Sequence, residues 1–407
     1  MPSEILTLTY VIGEGHSLPV VSLVTEPDNL WDYNTGIYVE GPNASATSPH
    51  WGANYWQNWE KEATISLFEL DGTGFSEPCG ISIFGAYSRA QATKAFDVKF
   101  RDFYGTGTLN YSLFGDKGIS SFESFILRCS GQDAMVARMR DVLLTSLVAD
   151  QTTVAVQKYR PVVLYLNGEF WGVYYIREKT NEHFVAGNYN ADPKDVSITE
   201  FNGNTEYKKM VEYAHTHDLS VQEHYDYICS QMDVDNYIDF MIAQMYIANI
   251  DIDNIKFFKT TDLKWTWLFY DTDLSFSSSD YDTVKDYTHP SGTGGGRALS
   301  TKLINALLEN GEFKEKFISR FAWQMNNIWS VENVTARVDE LEALIAEDMK
   351  RDCQKWGRSY SGWQGSVDYL RKFPASRNKK LPAFVQSYFG LTDQQMIDYG
   401  FPVQEGS

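Results

Sequence analysis

Acidic and amide side chains follow two strongly apolar stretches of the chain, and their types suit metal-assisted phosphoryl transfer. Residues 249–254 read Asn-Ile-Asp-Ile-Asp-Asn, and Asp271-Thr272-Asp273 ends a Trp-rich run. Mg²⁺ prefers hard oxygen ligands such as carboxylates. Phosphoryl transfer uses one carboxylate to accept a hydroxyl proton, and an Asn and an Asp to hold the metal. Because helix caps and turns also favour Asp and Asn, each residue taken alone is equally consistent with a structural role.

A predicted helix and a predicted β-hairpin position these side chains. Apolar residues recur at steps of three and four from Tyr237 to Tyr246, which indicates a buried amphipathic helix. Two β-type runs follow at residues 255–259 and 265–270, separated by a Thr-Thr-Asp-Leu-Lys turn. The loop after the helix therefore supplies the first carboxylates and the carboxamide, and the end of the second strand supplies two more carboxylates.

A basic loop lies between predicted strands in the first third of the chain. It runs from Gly85 to Lys94 as Gly-Ala-Tyr-Ser-Arg-Ala-Gln-Ala-Thr-Lys. Gly85 permits a sharp backbone turn, Ser88 can donate a hydrogen bond, and Arg89 and Lys94 can neutralise phosphate charge. The Gly-rich pattern of protein kinases is absent from the loop. Lys99, on the strand that follows, is a competing lysine.

Two further elements would brace a nucleotide site in a kinase-like arrangement. A helix is predicted over residues 132–149, and Asp133 or Asp141 on it could pair with the phosphate-binding lysine. A hairpin is predicted from residues 162–166 and 170–176, because Asn167-Gly168 between them is a strong two-residue turn signal. Its second strand leads to Glu178, a candidate for the nucleotide pocket. A surface ion pair and a solvent-facing charge are the structural alternatives for these acidic residues.

Residues 235–276 resemble the core motif of the CotH family, the spore-coat protein H kinases. The shared features are Asn-x-Asp followed by Asn, and a later Trp-rich strand that ends in Asp-x-Asp. Further matches follow in order and cover nearly the whole chain: Leu18-Pro-Val-Val-Ser-Leu, Asn29-Leu-Trp, Thr35-Gly-Ile-Tyr-Val, residues 85–100, Tyr165-Leu-Asn-Gly-Glu-Phe-Trp-Gly-Val-Tyr and residues 377–391.

The resemblance implies an α+β, atypical protein-kinase-like fold with two lobes and ATP between them. We expect a β-rich N-terminal lobe with one bracing helix over residues 1–180, and a mainly helical C-terminal lobe over residues 181–407. The implied reaction transfers the γ-phosphate of ATP to Ser or Thr of a protein acceptor. In this reading Arg89 and Lys94 bind phosphates, and Lys94 matches the family position better than Lys99. Glu178 is assigned to the nucleotide pocket by analogy with kinases.

The resemblance also assigns roles to the acidic residues. Asp251 would orient or deprotonate the acceptor hydroxyl, and Asn254 and Asp271 would hold Mg²⁺. Asp273 would be a further ligand or a partner of one. Spacing does not separate Asp251 from Asp253, nor Asp271 from Asp273. The short gap between Asp251 and Asn254 also departs from the longer spacing of ordinary protein kinases.

Composition limits the partners and the compartment. Against 54 Asp and Glu, the chain has 35 Lys and Arg, and the net charge of −19 argues against a nucleic-acid-binding surface. It favours a basic protein partner, and a nucleotide site would need local concentration of the few basic groups. The four cysteines are scattered without a CxxC pair, so neither a zinc site nor a disulfide framework is expected. No apolar run is long enough to span a membrane.

The start of the chain bears on the location of the protein, and two functions other than a kinase are also considered. A strand predicted at residues 5–10, with no signal peptide before it, suggests either a trimmed sequence or a module of a longer secreted protein. Localisation is left open between the cell surface, the extracellular space and the spore.

One alternative function is a non-catalytic module that binds glycan or a partner through the aromatic cluster of residues 50–59. The other is a glycoside hydrolase with two acidic residues.

Three further predictions concern the second half of the chain. Residues 277–298 form a Gly- and Ser-rich loop, either a flap over the acceptor or an ordinary surface loop. Residues 299–391 are helical, with Ser330 as an N-cap and a last helix over residues 377–389. His215, His217 and His224 lack the spacing of a metal site.

Overall fold

The computed structural model describes residues 9, 11–115, 118–201, 203–289 and 298–401. The strands are β1 (Val20–Val24), β2 (Lys61–Phe68), β3 (Gly74–Phe84), β4 (Ala95–Lys99), β5 (Leu109–Asn110), β6 (Ser121–Phe122), β7 (Ser124–Arg128), β8 (Ala155–Val156), β9 (Tyr159–Leu166), β10 (Glu169–Glu178), β11 (Ser197–Glu200), β12 (Lys256–Lys259) and β13 (Thr266–Phe269). The helices are α1 (Pro27–Trp31), α2 (Arg140–Ala149), α3 (Glu182–Tyr189), α4 (Thr205–Thr216), α5 (Gln222–Gln231), α6 (Val234–Tyr246), α7 (Thr283–Tyr287), α8 (Ala298–Leu307), α9 (Gly311–Asn327), α10 (Val331–Lys355), α11 (Tyr360–Phe389) and α12 (Asp393–Asp398). The predicted α+β class is confirmed.

The chain divides into two compact units. The barrel unit comprises Met1–Met139, Lys158–Asn188 and Glu340–Ser366, and the helical unit comprises Arg140–Gln157, Tyr189–Asp339 and Val367–Ser407. Helix α2, the predicted brace of the N-terminal lobe, lies in the helical unit. The predicted division at residue 180 stays a prediction.

The barrel unit is built around a closed barrel in the strand order β1-β2-β3-β4-β7-β10-β9. Neighbouring strands are antiparallel apart from β1 and β9, which pair in parallel. Because side chains alternate between the faces of a strand, one face supplies the apolar interior. Buried residues of this face include Ile81, Phe96, Phe125, Leu127 and Ile176.

The β9–β10 hairpin confirms the prediction made from its turn. Asn167 and Gly168 both have positive φ, at 49° and 81°. This is the backbone form that a two-residue type I′ turn requires, and Asn-Gly adopts it readily. The turn therefore sets the pairing of β9 with β10 beside it, and an irregularity between Phe170 and Gly172 shifts the register further along the hairpin.

In the helical unit, helix α6 packs on a small sheet with the strand order β11-β12-β13-β8. The predicted helix and the predicted hairpin are confirmed as α6, β12 and β13. Asn236 joins them: its Nδ2 donates to the carbonyls of Thr153 and Trp267, and its Oδ1 accepts from the Trp267 N–H at 2.7 Å. This buried amide satisfies strand polar groups that would otherwise be costly to bury.

The helix predicted over residues 132–149 is wrong in its first part. A 3-10 turn occupies Gly131–Asp133, and the α-helix begins only at Arg140. Arg138 has φ of 61°, which an α-helix cannot contain. The Asp133 carboxylate accepts hydrogen bonds from the Ala137 and Met139 N–H groups and so stabilises the turn instead.

The helical character of the later chain is confirmed, with changed boundaries. Ser330 caps α10 through its Oγ, which accepts from the Asn333 N–H at 3.2 Å. Helix α11 begins at Tyr360 rather than at residue 377, and α12 follows it. The predicted loop at residues 277–298 contains helix α7, while residues 290–297 lie outside the described residues. Of the strand predicted at residues 5–10, the structure describes only Thr9, which is not in a strand. Among the described helices, none has both the length and the apolar character needed to cross a membrane.

Candidate active site

The loop after helix α6 is shaped by a buried amide. Asn249 is buried, and its Nδ2 donates to Gln244 Oε1 at 2.8 Å. Its Oδ1 accepts from the Asp251 N–H at 2.9 Å, which fixes the turn at Asp251. The carbonyl of Asn249 in addition accepts from the hydroxyl of Tyr287 on α7. The loop is therefore held from both sides, and Asp251 remains partly exposed.

The structure brings Asn254 and Asp271 into contact across the β12–β13 hairpin. The Asn254 Nδ2 donates to Asp271 Oδ2, and the Tyr270 hydroxyl donates to Asn254 Oδ1 at 2.7 Å. Asp271 has φ of 54°, an uncommon conformation for a residue other than glycine. Two members of the predicted metal set, which are 17 positions apart in the chain, thus share one location.

Thr272, between Asp271 and Asp273 in the chain, is hydrogen-bonded to Asp141. Asp273 is buried, and Thr272 donates through its N–H and its hydroxyl to Asp141 Oδ1 at 3.0 and 3.2 Å. Asp141, predicted as a partner of the phosphate-binding lysine, thus anchors the turn that carries Asp271 and Asp273. Sequence spacing gives no signal for this contact, because 131 positions separate the two residues.

The donor set of the hairpin fits Mg²⁺. It consists of carboxylate and amide oxygens, which are the hard ligands that this ion takes. Among the described residues, no three His, Cys, Asp or Glu side chains form a metal-binding group. Mg²⁺ at Asn254 and Asp271 would therefore complete its shell with water and substrate phosphates, as it commonly does. Two of the three histidines of the second half of the chain, His217 and His224, have ring centroids 5.0 Å apart, and both rings pack against Tyr213.

Arg377 is a buried residue near these loops. No sequence pattern predicted a functional role for it, and it was only the first residue of a predicted helix that resembles the family. Its guanidinium is fully buried, and burial lowers its pKa to about 10. It donates to the carbonyls of Met245, Tyr246, Ser279 and Tyr281 and to the hydroxyl of Thr283. The acceptors belong to the last turn of α6 and to the chain after Asp273. Arg377 therefore ties the end of α6, before Asp251, to the segment that follows Asp273.

The basic loop of the barrel unit uses its cations to hold its own backbone. Arg89 donates to the carbonyls of Gly85 and Tyr55 at 2.5 and 3.1 Å. The Lys94 ammonium donates to the carbonyls of Arg89 and Gln91 at 2.5 and 2.8 Å, and it lies 4.2 Å from the centroid of the Tyr55 ring. Burial of Lys94 lowers its pKa to about 8. The predicted phosphate contacts of Arg89 and Lys94 stay predictions.

Glu178 is the last residue of strand β10. It pairs in register with Phe125 of the barrel core and is only 4% exposed. Its carboxylate accepts from the Lys158 N–H at 2.8 Å and from Asn188 Nδ2 at 3.0 Å. It borders a cavity of about 220 Å³ that is also lined by Phe122 and His183. The predicted nucleotide contact of Glu178 stays a prediction.

Comparison with known proteins agrees with the family resemblance. Among solved structures, the crystal structure of the Golgi casein kinase is similar at 9% identity, with 77% of this chain and 70% of that chain covered and a TM-score of 0.27. This likeness is too weak to carry an argument. No relative of the chain is found among curated proteins. The family model described as CotH kinase protein matches residues 81–381, which include every predicted site residue, so the chain belongs to the CotH kinase family.

Proposed function

We propose that the protein is an ATP- and Mg²⁺-dependent kinase that transfers the γ-phosphate to Ser or Thr of a protein acceptor. Membership of the CotH kinase family supports a kinase-type enzyme. The observation that carries the finer proposal is the contact between Asn254 and Asp271, beside the loop of Asp251. A carboxylate, an amide and a partly exposed second carboxylate are the groups that phosphoryl transfer needs.

Asn254 and Asp271 would hold the metal, with Asp273 as a further ligand or a partner of one. Bound Mg²⁺ neutralises charge on the nucleotide phosphates. In the structure, the Asn254 Nδ2 donates to Asp271, and the Asn254 Oδ1 accepts from the Tyr270 hydroxyl. For both side chains to present oxygen to one ion, this amide must rotate, and Tyr270 must exchange its acceptor.

Asp251 would act on the acceptor. Its carboxylate orients the Ser or Thr hydroxyl and takes its proton as the oxygen attacks phosphorus. The backbone position is fixed by Asn249, and little further ordering is required when the acceptor arrives. Asp253, two positions later, is the alternative for this role. The net charge of −19 favours a basic acceptor through long-range attraction.

Phosphate contacts are assigned to Arg89 and Lys94, and a nucleotide contact to Glu178, on the family resemblance and the kinase analogy. Lys99 is the competing lysine on strand β4. Arg89 and Lys94 each donate two hydrogen bonds to backbone carbonyls, so phosphate binding would use their remaining N–H groups or exchange some of these hydrogen bonds.

The test is transfer of label from γ-labelled ATP to a Ser-rich, basic acceptor peptide in the presence of Mg²⁺. Asp251→Asn should lower the rate by about 100-fold or more, the usual contribution of a general base. Asp262→Asn, in the exposed turn of the same hairpin, is the matched control and should leave the rate unchanged. Equal transfer by the wild type and Asp251→Asn would refute the assignment, and Asp253→Asn would then be measured.

The metal role is tested separately with Asp271→Ala. This variant should keep ATP binding measured without Mg²⁺, and it should require a higher Mg²⁺ concentration for any remaining activity. An unchanged dependence on Mg²⁺ would contradict a metal contact at Asp271.

A further inference from the structure

We infer that the turn between helices α4 and α5 binds a divalent transition-metal ion through His217 and His224. Imidazole nitrogens suit Cu²⁺, Ni²⁺ and Zn²⁺, whereas Mg²⁺ takes oxygen ligands. The inferred site is therefore chemically distinct from the one proposed at Asn254 and Asp271, and it does not depend on the proposed kinase activity. It supplies two protein ligands, with water in the remaining positions, and so differs from the tetrahedral protein set that the sequence spacing argued against.

The turn returns His224 to the side of His217. His217 is the C-cap of α4, and its N–H donates to the Tyr213 carbonyl at 3.1 Å. The next residue, Asp218, accepts through Oδ1 from the N–H and the hydroxyl of Ser220 at 2.9 and 2.6 Å, which closes a tight turn. The ring centroids of the two histidines consequently lie only 5.0 Å apart.

Backbone carbonyls fix the proton of each ring on Nδ1. His217 Nδ1 lies 3.0 Å from the Tyr213 carbonyl oxygen, and His224 Nδ1 lies 2.9 Å from that of Asp218. A carbonyl oxygen can only accept, so both Nδ1 atoms carry hydrogen, and in the neutral rings both Nε2 atoms present a lone pair. Metal-binding histidines donate their other ring N–H in this way, which orients the ring before the metal arrives.

Bare Nε2 atoms distinguish this pair from histidines of the barrel unit. His16 Nε2 lies 2.9 Å from the Tyr165 hydroxyl, and His183 Nε2 lies 2.8 Å from Glu123 Oε2. Within the described part of the chain, no protein group forms a hydrogen bond with the Nε2 of either histidine of the α4–α5 turn. Both nitrogens are therefore available to a ligand.

The separation of the rings suits two ligands of one ion. Zinc binds imidazole nitrogen at about 2.1 Å, which places the metal roughly 3.2 Å from the ring centroid. Two centroids 5.0 Å apart then subtend an angle of about 100° at the metal, between the octahedral and the tetrahedral angle. Tyr213 holds the first ring in place, because its own ring stacks on that of His217 with centroids 3.8 Å apart.

The surroundings attract a cation and leave the rings accessible. Residues 210–232, which include the end of α4 and all of α5, contain four acidic residues and no Lys or Arg. A local excess of negative charge raises the concentration of cations near the surface. Both histidines are partly exposed, so a hydrated ion can reach them. The turn thus offers two nitrogen ligands in a favourable electrostatic potential.

The experiment measures binding of Ni²⁺ to the untagged full chain by calorimetry, with Mg²⁺ in excess to occupy oxygen sites. His217→Phe and His224→Phe should each weaken Ni²⁺ binding about 10-fold or more, since each removes one ligand. Phenylalanine keeps a ring that packs on Tyr213 but has no nitrogen. His215→Phe, at an exposed position of the same helix, is the matched control and should bind as the wild type does. Thermal unfolding without metal shows whether each variant is folded.

Equal Ni²⁺ binding by the wild type, His217→Phe and His224→Phe would overturn the inference, and so would the absence of any heat of binding to the wild type. A loss in His215→Phe as large as that in His217→Phe would also contradict it, because the ion would then lie elsewhere on α4. The second readout is the unfolding temperature, which added Ni²⁺ should raise in the wild type and in His215→Phe but not in the other two variants.

Discussion

Replacement of Arg377 by Lys should destabilise the helical unit strongly, although it keeps the charge. The guanidinium makes hydrogen bonds to five acceptors on two separate segments. An ammonium has three donors at one point and cannot span both segments, so at least two acceptors lose their donor. Each hydrogen bond to a charged group contributes about 1.5–3 kcal/mol. We therefore expect Arg377→Lys to lower the free energy of unfolding by about 3 kcal/mol or more.

The assay is urea unfolding followed by tryptophan fluorescence, with Arg371→Lys as the matched control on the same helix. The Arg371 side chain is 25% exposed and pairs with Asp339 and Asp368 at the surface. Exposed pairs of this kind contribute about 1 kcal/mol or less, so the control should change little. Ordinary surface substitutions change the free energy of unfolding by about 0.5 kcal/mol or less. If the free energy of unfolding of Arg377→Lys differs from that of the wild type by no more than this, the buried guanidinium does not hold the two segments.

Two further predictions concern Lys94 and Asp271. Burial lowers the pKa of Lys94 from 10.5 to about 8, so between these values the unfolded chain binds more protons and stability rises with pH. Over this pH range, urea unfolding should show the free energy of unfolding of the wild type rise by up to roughly 3 kcal/mol, and Lys94→Met should lack this rise. Equal pH profiles of the wild type and Lys94→Met would contradict the prediction. Because Asp271 has φ of 54°, Asp271→Gly should be more stable than Asp271→Ala by about 1 kcal/mol, while both lose the Asn254 contact. Equal stability of the two variants would show that the backbone there is not strained.

Local patterns predicted the elements of the fold better than the partners of its charges. The apolar periodicity from Tyr237 to Tyr246 and the Asn167-Gly168 turn are local signals, and both predictions are confirmed. Whether Lys94 or Lys99 faces solvent depends on which side of β4 the barrel encloses. That side is decided by strand closure, which a single sequence does not display.

The interrupted helix and the partner of Asp141 could not be predicted for related reasons. Apolar spacing from Met135 to Leu147 suits a continuous helix, but Arg138 adopts a left-handed conformation and ends the pattern. Its guanidinium forms a buried ion pair with Asp352 at 3.0 Å, a residue more than 200 positions away. Asp141 likewise binds Thr272 through tertiary structure alone. Such contacts override helix propensity because they satisfy buried charges.

Unusual backbone conformations cluster around the candidate active site. Ala248, Asp271 and Phe276 all have positive φ, at 51°, 54° and 51°. For residues other than glycine this conformation costs about 1–3 kcal/mol and persists only where the surroundings impose it. Ala248 precedes the Asp251 loop, and Phe276 follows Asp273 closely. The Phe276 N–H donates to the Ile247 carbonyl at 2.6 Å, which joins the two turns directly.

One stripe of helix α11 contacts Phe276 and the end of helix α6. Tyr369, Phe373 and Arg377 are four positions apart, so they lie on the same helix face. The Tyr369 hydroxyl donates to the Phe276 carbonyl at 2.8 Å, and the Phe373 ring stacks on the Phe276 ring at 3.9 Å. Arg377 then holds the end of α6. The helix thus braces the positive-φ residue Phe276 and the end of α6 directly before Ala248 at once, through residues that carry none of the proposed chemistry.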